Sequence, residues 1–292
     1  MKFTVEEFRH WKHKNVTLLG MSGVGKSYLS SMLQGKQWFH YSGDYRIGTR
    51  YLDEHILDMI KQQAMQVPFL KDLLRKDWIH ISNNIKVDDL GPVLSFVGKL
   101  GNPALGGVEL DEFIRRQAIY RQAEIDAMLE VPEFIRKAQH IYGYPHFIND
   151  VGGSLCELEE PGVIESLIDC SLILYIQVTN QAQQDTLVQR AQSSPKPLFY
   201  RPEFLKQHLQ MYFEETGLEY AAQIDPDDFA RWVFPHLFHS RIPRYEAIAQ
   251  PHGYTVTSDE VAQVKDEDDF LALIELAIVR DNQASKIEVR KN

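Results

Sequence analysis

The sequence predicts an α/β protein in three layers, a parallel sheet with helices on both faces. Two patterns carry that expectation. Five short apolar runs are separated by stretches with helical periodicity, and the first run leads through a glycine-rich turn straight into a helix. With 292 residues, 44% hydrophobic and 25% charged, the chain has enough apolar material for one large domain carrying a sizeable insertion.

The elements follow in order. NVTLLG, residues 15–20, is the first strand, and a helix is expected over 26–34. QWFHY at 37–41, HFIN at 146–149, SLILYIQV at 171–178 and GYTVT at 253–257 are the remaining strands. Between the second and third lie roughly a hundred residues that favour helix. LDEHILDMIKQQA and ELDEFIRRQAIYRQAEIDAMLEVPEFIRKA repeat apolar positions every three or four residues, while 87–107 is richer in Gly and Pro. Residues of about 50–142 are therefore expected to form a helical insertion in a single domain spanning 1–280, with 281–292 a polar tail that frays.

Charge and cysteine content narrow the function. Lys and Arg number 31 against 41 Asp and Glu, a net charge of -10, which repels nucleic acid and anionic lipid over most of the surface. Cys156 and Cys170 have no CxxC spacing, as expected in a reducing compartment. MKFTVEEFRH is too charged for a signal peptide, and LILYIQV at 172–178 is too short to span a bilayer. A cytoplasmic protein with neither nucleic acid nor membrane among its partners is expected.

The chemistry is concentrated in Gly20-Met21-Ser22-Gly23-Val24-Gly25-Lys26-Ser27, which matches G-x-x-x-x-G-K-[ST] throughout. Glycines let backbone N–H groups converge on phosphate oxygens, and the following helix N-terminus adds favourable partial charge. Lys26 is expected to reach the β- and γ-phosphates and Ser27 to ligate Mg²⁺. Gly20, Ser22, Gly23, Val24, Gly25, Lys26, Ser27 and Tyr28 thus form the expected nucleoside triphosphate site. No guanine-specifying N-K-x-D occurs, so ATP is the expected nucleotide. Asp150, ending PHFIND, is the candidate second anchor for Mg²⁺, because an acid at the C-terminal edge of a parallel strand faces the phosphate crevice. It also suits an ordinary turn. Gly152 and Gly153 permit a close backbone approach, to a ligand or to the next helix.

Taken in order, further segments resemble the shikimate kinase and gluconate kinase group of small P-loop kinases. Asp44-Tyr45-Arg46-Ile47 is similar to the D-x-x-I segment, and Gly152-Gly153 to the glycine substrate loop. Arg190 with Lys196-Pro197-Leu198 resembles the lid, and Arg241-Ile242-Pro243-Arg244-Tyr245 with Ala249 reproduces R-x-P-x-Y-x-x-x-A. The resemblance implies a five-stranded sheet of order 2-3-1-4-5. It also implies that Asp44, Gly152, Gly153 and Arg241 hold the phosphoryl acceptor, Arg241 through the acceptor's carboxylate. Lys26, Asp44 and Lys196 would be catalytic, Arg190 would contact the nucleotide, and Thr257-Ser258-Asp259 would lie near the adenine.

The expected activity is transfer of the γ-phosphoryl group of ATP to a small anionic acceptor bearing a hydroxyl. The alternative is an ATPase or nucleotide-dependent switch that acts on a protein partner through the insertion. Ser42, where the family carries an acid, and Lys196, where its lid carries Arg, favour the alternative. On local sequence alone Asp44 also fits a turn cap, and Arg190, Lys196 and Arg241 also fit solvated surface charges.

Overall fold

The computed structural model describes residues 2–35 and 37–289, with side chains to 284. Each of the five apolar runs is a strand: β1 (Asn15–Leu19), β2 (Trp38–Ser42), β3 (His146–Asp150), β4 (Leu172–Gln177) and β5 (Gly253–Thr257). They form one sheet of order β2-β3-β1-β4-β5, and every pairing is parallel. Burial along the strands explains their composition. All five residues of the central β1 are buried, so the strand reads as a continuous apolar run instead of alternating. Asn15 and Thr17 are its polar exceptions: Asn15 Nδ2 donates to the Cys170 carbonyl (3.1 Å), and the Thr17 hydroxyl lies 2.7 Å from the Ser171 hydroxyl.

Register then places the site. Leu18 of β1 pairs with Asp150 of β3, so the turn after β1 and the carboxylate of Asp150 leave the sheet side by side at its C-terminal edge. Ligands of open α/β sheets bind at that edge.

Contacts divide the chain into two compact units. The first, residues 2–43, 128–191 and 234–289, contains the sheet. The second, residues 44–127 and 192–233, carries no strand among the described residues. It is built from helices Asp53–Ala64, Pro68–Arg75, Gly91–Val97 and Pro202–Thr216 with parts of Leu110–Leu129 and Pro226–His252. The long helical stretch after β2 is thus completed by a segment 65 or more positions downstream of its own end. Residues 128–142 group instead with the sheet.

Inside the second unit the joining is specific. The Gln117 amide donates to the Leu198 carbonyl (3.2 Å), and its oxygen accepts from the Tyr200 N–H (2.9 Å). Phe113 and Phe229 are almost wholly buried, and Tyr212 packs edge-on against Phe229 and Trp232 at 5.2 Å. Pro235 lacks the N–H that would bond the Arg231 carbonyl in helix Pro226–His252. The Gln192 amide donates to that carbonyl instead (3.3 Å), and Arg231 Nε donates back to the Gln192 carbonyl (3.1 Å).

The final helix, Glu267–Val289, runs past residue 281, where a polar tail was expected to begin; residues 290–292 lie outside the described residues. Its acidic first turn (Glu267, Asp268, Asp269) suits the helix N-terminus. Among the described residues no helix is long and apolar enough to cross a membrane.

Candidate functional site

The turn after β1 is shaped by its glycines. Gly20, Gly23 and Gly25 have φ of 145°, 88° and 108°, left-handed values that L side chains avoid. At Gly25 space is also lacking, since a Cβ would stand 2.7 Å from Val261 Cγ1. Gly25 caps helix Lys26–Leu33 with no side-chain hydrogen bond, so the N-terminal amides of this helix are not engaged by a capping side chain. Such amides attract anions.

Lys26 is only 6% exposed, and its Nζ donates to the carbonyls of Gly20 (2.7 Å) and Met21 (2.9 Å). These bonds hold the ammonium back across its own loop. The neighbouring Ser27 is exposed, and its hydroxyl donates to Asp150 Oδ2 at 2.8 Å. The two residues expected to share a magnesium ion are therefore brought together from separate strand ends. A hydroxyl and a carboxylate are hard oxygen donors, and magnesium takes one or two such protein ligands beside phosphate oxygens and water. The pair fits that ion. His40 on β2 lies near this carboxylate; burial lowers its pKa, and the negative charge of Asp150 partly offsets the effect.

Beside the turn is a cavity of about 470 Å³, bordered by Gly23, Gly25, Tyr28, Thr186, Arg190 and Ser258 among others. Its size is that of a small-ligand site. Tyr28 is anchored there by its hydroxyl, which donates to the Val264 carbonyl (2.8 Å). Ser258 donates to Gln183 Oε1 (2.8 Å), tying the segment after β5 to helix Gln181–Ser193, which carries Arg190. The glycine turn, Arg190 and Ser258 thus meet around one space.

A second polar cluster adjoins the turn. A Cβ on Gly153 would lie 3.4 Å from the Ser22 nitrogen and 3.7 Å from Arg241 Nη1, so the loop after β3 runs close against both. Tyr245 donates to the Gly153 carbonyl (2.5 Å) and stacks on Tyr175 at 5.4 Å. Arg241, expected to face an acceptor, is 5% exposed, and its Nε (2.8 Å) and Nη2 (2.5 Å) both donate to Glu157 Oε2. The Glu157 side chain is wholly buried. Burial is the largest single effect and opposes the guanidinium charge, but the charge and hydrogen bond of Glu157 together with Tyr245 and Cys156 hold the Arg241 pKa above its ordinary value. Cys156, in the same cluster, is pushed up to about 12 by burial. R-x-P-x-Y therefore works here as a clamp on residues 153–157. Glu157 was not found from the sequence, because nothing in CELEEP sets it apart from Glu159 and Glu160.

Asp44 and Lys196 belong to the second unit. Asp44 follows β2 in the short helix Gly43–Arg46 and is half-buried, whereas Lys196 is exposed between helices Gln181–Ser193 and Pro202–Thr216. No group of three or more His, Cys, Asp or Glu suited to a metal ion occurs among the described residues.

The sheet is five-stranded and parallel, in the order β2-β3-β1-β4-β5, and the glycine turn follows its central strand. The chain is similar to a crystal structure of shikimate kinase from Bacteroides thetaiotaomicron at 16% sequence identity and a TM-score of 0.40, over 94% of this chain and 98% of that one. No protein-family model matches the sequence, and no curated protein matches it.

Proposed function

We propose that the chain binds ATP with magnesium on residues 20–27 and transfers the γ-phosphoryl group to a small acceptor bearing a hydroxyl. The single observation that supports this most is the Ser27–Asp150 hydrogen bond of 2.8 Å beside the glycine turn. It joins the hydroxyl of the motif to an acid from the neighbouring strand, the two protein groups that this chemistry uses.

In this reading the amides at the start of helix Lys26–Leu33 hold the phosphates, and Lys26 leaves its carbonyl partners to neutralise the β- and γ-oxygens. Ser27 and Asp150 would hold magnesium, which supplies positive charge against the charge that develops on the transferred group. Asp44 orients the acceptor hydroxyl and takes its proton. Arg190 and Lys196 stabilise charge spreading over the γ-phosphoryl oxygens. Gly152 and Gly153 let backbone approach the acceptor, and Arg241 would take an anionic group on it only by exchanging Glu157 for that group. Positioning supplies most of the acceleration, because in-line transfer asks little covalent chemistry of the protein.

A second reading is an ATPase or nucleotide-dependent switch acting on a protein partner through the helical second unit. The buried pairing of Arg241 with Glu157 favours it, since that guanidinium already holds a carboxylate of its own chain. One experiment separates the two. Turnover of γ-labelled ATP is measured with and without a metabolite extract, in the natural chain and in Asp44→Asn. Label moving to a small molecule, lost in Asp44→Asn with ATP affinity unchanged, is expected for the kinase. Slow release of phosphate that ignores the extract would select the switch, and unchanged transfer in Asp44→Asn would remove Asp44 from the mechanism.

A further inference from the structure

The second unit contains a cavity of about 400 Å³ between helix Leu110–Leu129 and the segment from Phe199 to Leu209. Ile114 and Ala118 line it from one helix, Leu205 and Leu209 from the other, and Phe199 from the strap between. The spacing of four in each pair puts its members on one helix face. None of the residues that line the cavity is a buried polar side chain without a hydrogen-bond partner. Gln117, the buried polar side chain of the wall, is satisfied at both ends by Leu198 and Tyr200 of the strap. An occupant therefore gains by burying hydrocarbon and loses by bringing a polar group inside.

The charged lining is one-sided. Arg121 and Lys206 reach the cavity from its two helices, and among the described residues no Asp or Glu lines it. In a chain of net charge -10 such a lining departs from the overall balance. Long basic side chains lay their stems along apolar surface and keep the charge toward water, which places the positive groups at the mouth. Ile114, 49% exposed, forms part of the same rim. The volume falls within the range of small-molecule sites.

We propose that this cavity binds an apolar carboxylic acid of the medium-chain acyl type. Its hydrocarbon lies between the two helices, and its carboxylate lies at the mouth against Lys206 and Arg121. The site stands apart from the nucleotide reading, and Lys26→Ala leaves it intact.

The test is calorimetric titration of the full chain with dodecanoate below its micellar concentration, beside dodecanol as the neutral twin. One dodecanoate per chain is expected. Losing a charge-assisted contact is expected to weaken binding about tenfold, both for dodecanol and for dodecanoate on Lys206→Glu, with Lys206→Arg restoring it. Ile114→Trp fills the rim from an exposed position and is expected to abolish binding while leaving the thermal melt and ATP affinity unchanged. Absence of saturable binding, or binding unaffected by Ile114→Trp, would overturn the site. Equal affinity for dodecanol would overturn the assigned acid.

Discussion

Two polar clusters flank the loop after β3, and they are built in opposite ways. Ser27 meets Asp150 at an exposed edge, and the Lys26 ammonium donates to two carbonyls of its own loop. Arg241 and Glu157 are sealed, with side chains 6% and 0% exposed and with Nε and Nη2 both donating to one carboxylate oxygen. Carbonyl partners can be exchanged for phosphate at little loss, because a neutral hydrogen bond is worth about 1 kcal/mol net. A buried ion pair cannot open without exposing an uncompensated charge. The first cluster is suited to a ligand that comes and goes; the second holds residues 153–157 in place.

The sharpest way to break that contrast is Glu157→Ala. It leaves Arg241 buried without its carboxylate and is expected to destabilise the fold by about 3–5 kcal/mol, read from the urea midpoint. The double variant Glu157→Leu with Arg241→Met is expected to recover most of the loss, since apolar replacement of both partners is often neutral. A loss under about 1 kcal/mol, the value of a solvated pair, would mean that the pair opens readily and would return Arg241 to the acceptor site.

Lys26→Ala tests the other cluster. Removing one preorganised cation from a charge-stabilising site is expected to lower ATP turnover by at least about a hundredfold. Retained turnover would show that the nucleotide, if bound, is not activated at this turn.

The clusters also differ in how far they could be foreseen, for one physical reason. Gly20, Gly25, Lys26 and Ser27 lie on one continuous turn, so their spacing in the chain is their spacing in space. The position of Asp150 beside the turn could be read from the sequence, because a parallel strand must end at that edge. The inner strands β1 and β4 were legible as apolar runs, since burial on both faces leaves little polar alternation to blur them, whereas the edge strands β2 and β5 are partly exposed. Glu157 and Arg241 lie 84 positions apart, and no periodicity encodes such a meeting. The same holds for Gln117 with the 198–200 strap, and hence for the joining of 192–233 to 44–127 in one helical unit.

Rising pH gives a gentler test of the sealed cluster. Burial pushes Cys156 from its ordinary value of 9.0 up to about 12, and Cys170 up to about 11. Both thiols keep a proton in the folded chain that the unfolded chain releases above about 9. Their contribution is complete below that pH and is lost as pH rises toward the folded values. For Cys156 the slope is about 1.4 kcal/mol per pH unit between pH 9 and 12. Cys156→Ala should remove one group's worth of this slope in urea melts, and an unchanged slope would show the thiol to be solvated.

The smallest effect is expected where an arginine and a glutamate meet in water. Glu112 accepts from Arg115 Nε at 2.7 Å and from Arg116 Nε at 2.7 Å. The hydrogen bond from Arg115 is the main reason its pKa falls to about 2, against the opposing effect of burial. The geometry rivals that of Glu157, yet the Glu112 side chain is 36% exposed and Arg115 is 56% exposed. Water screens the attraction, so Glu112→Gln is expected to cost about 0–1 kcal/mol. Because the folded pKa is depressed, that small contribution is present above the ordinary value of 4.5 and fades as pH falls toward 2. Urea melts at pH 7 and pH 3 measure it. A loss at pH 7 as large as that of Glu157→Ala would mean that hydrogen-bond geometry, and not burial, sets the strength of these pairs.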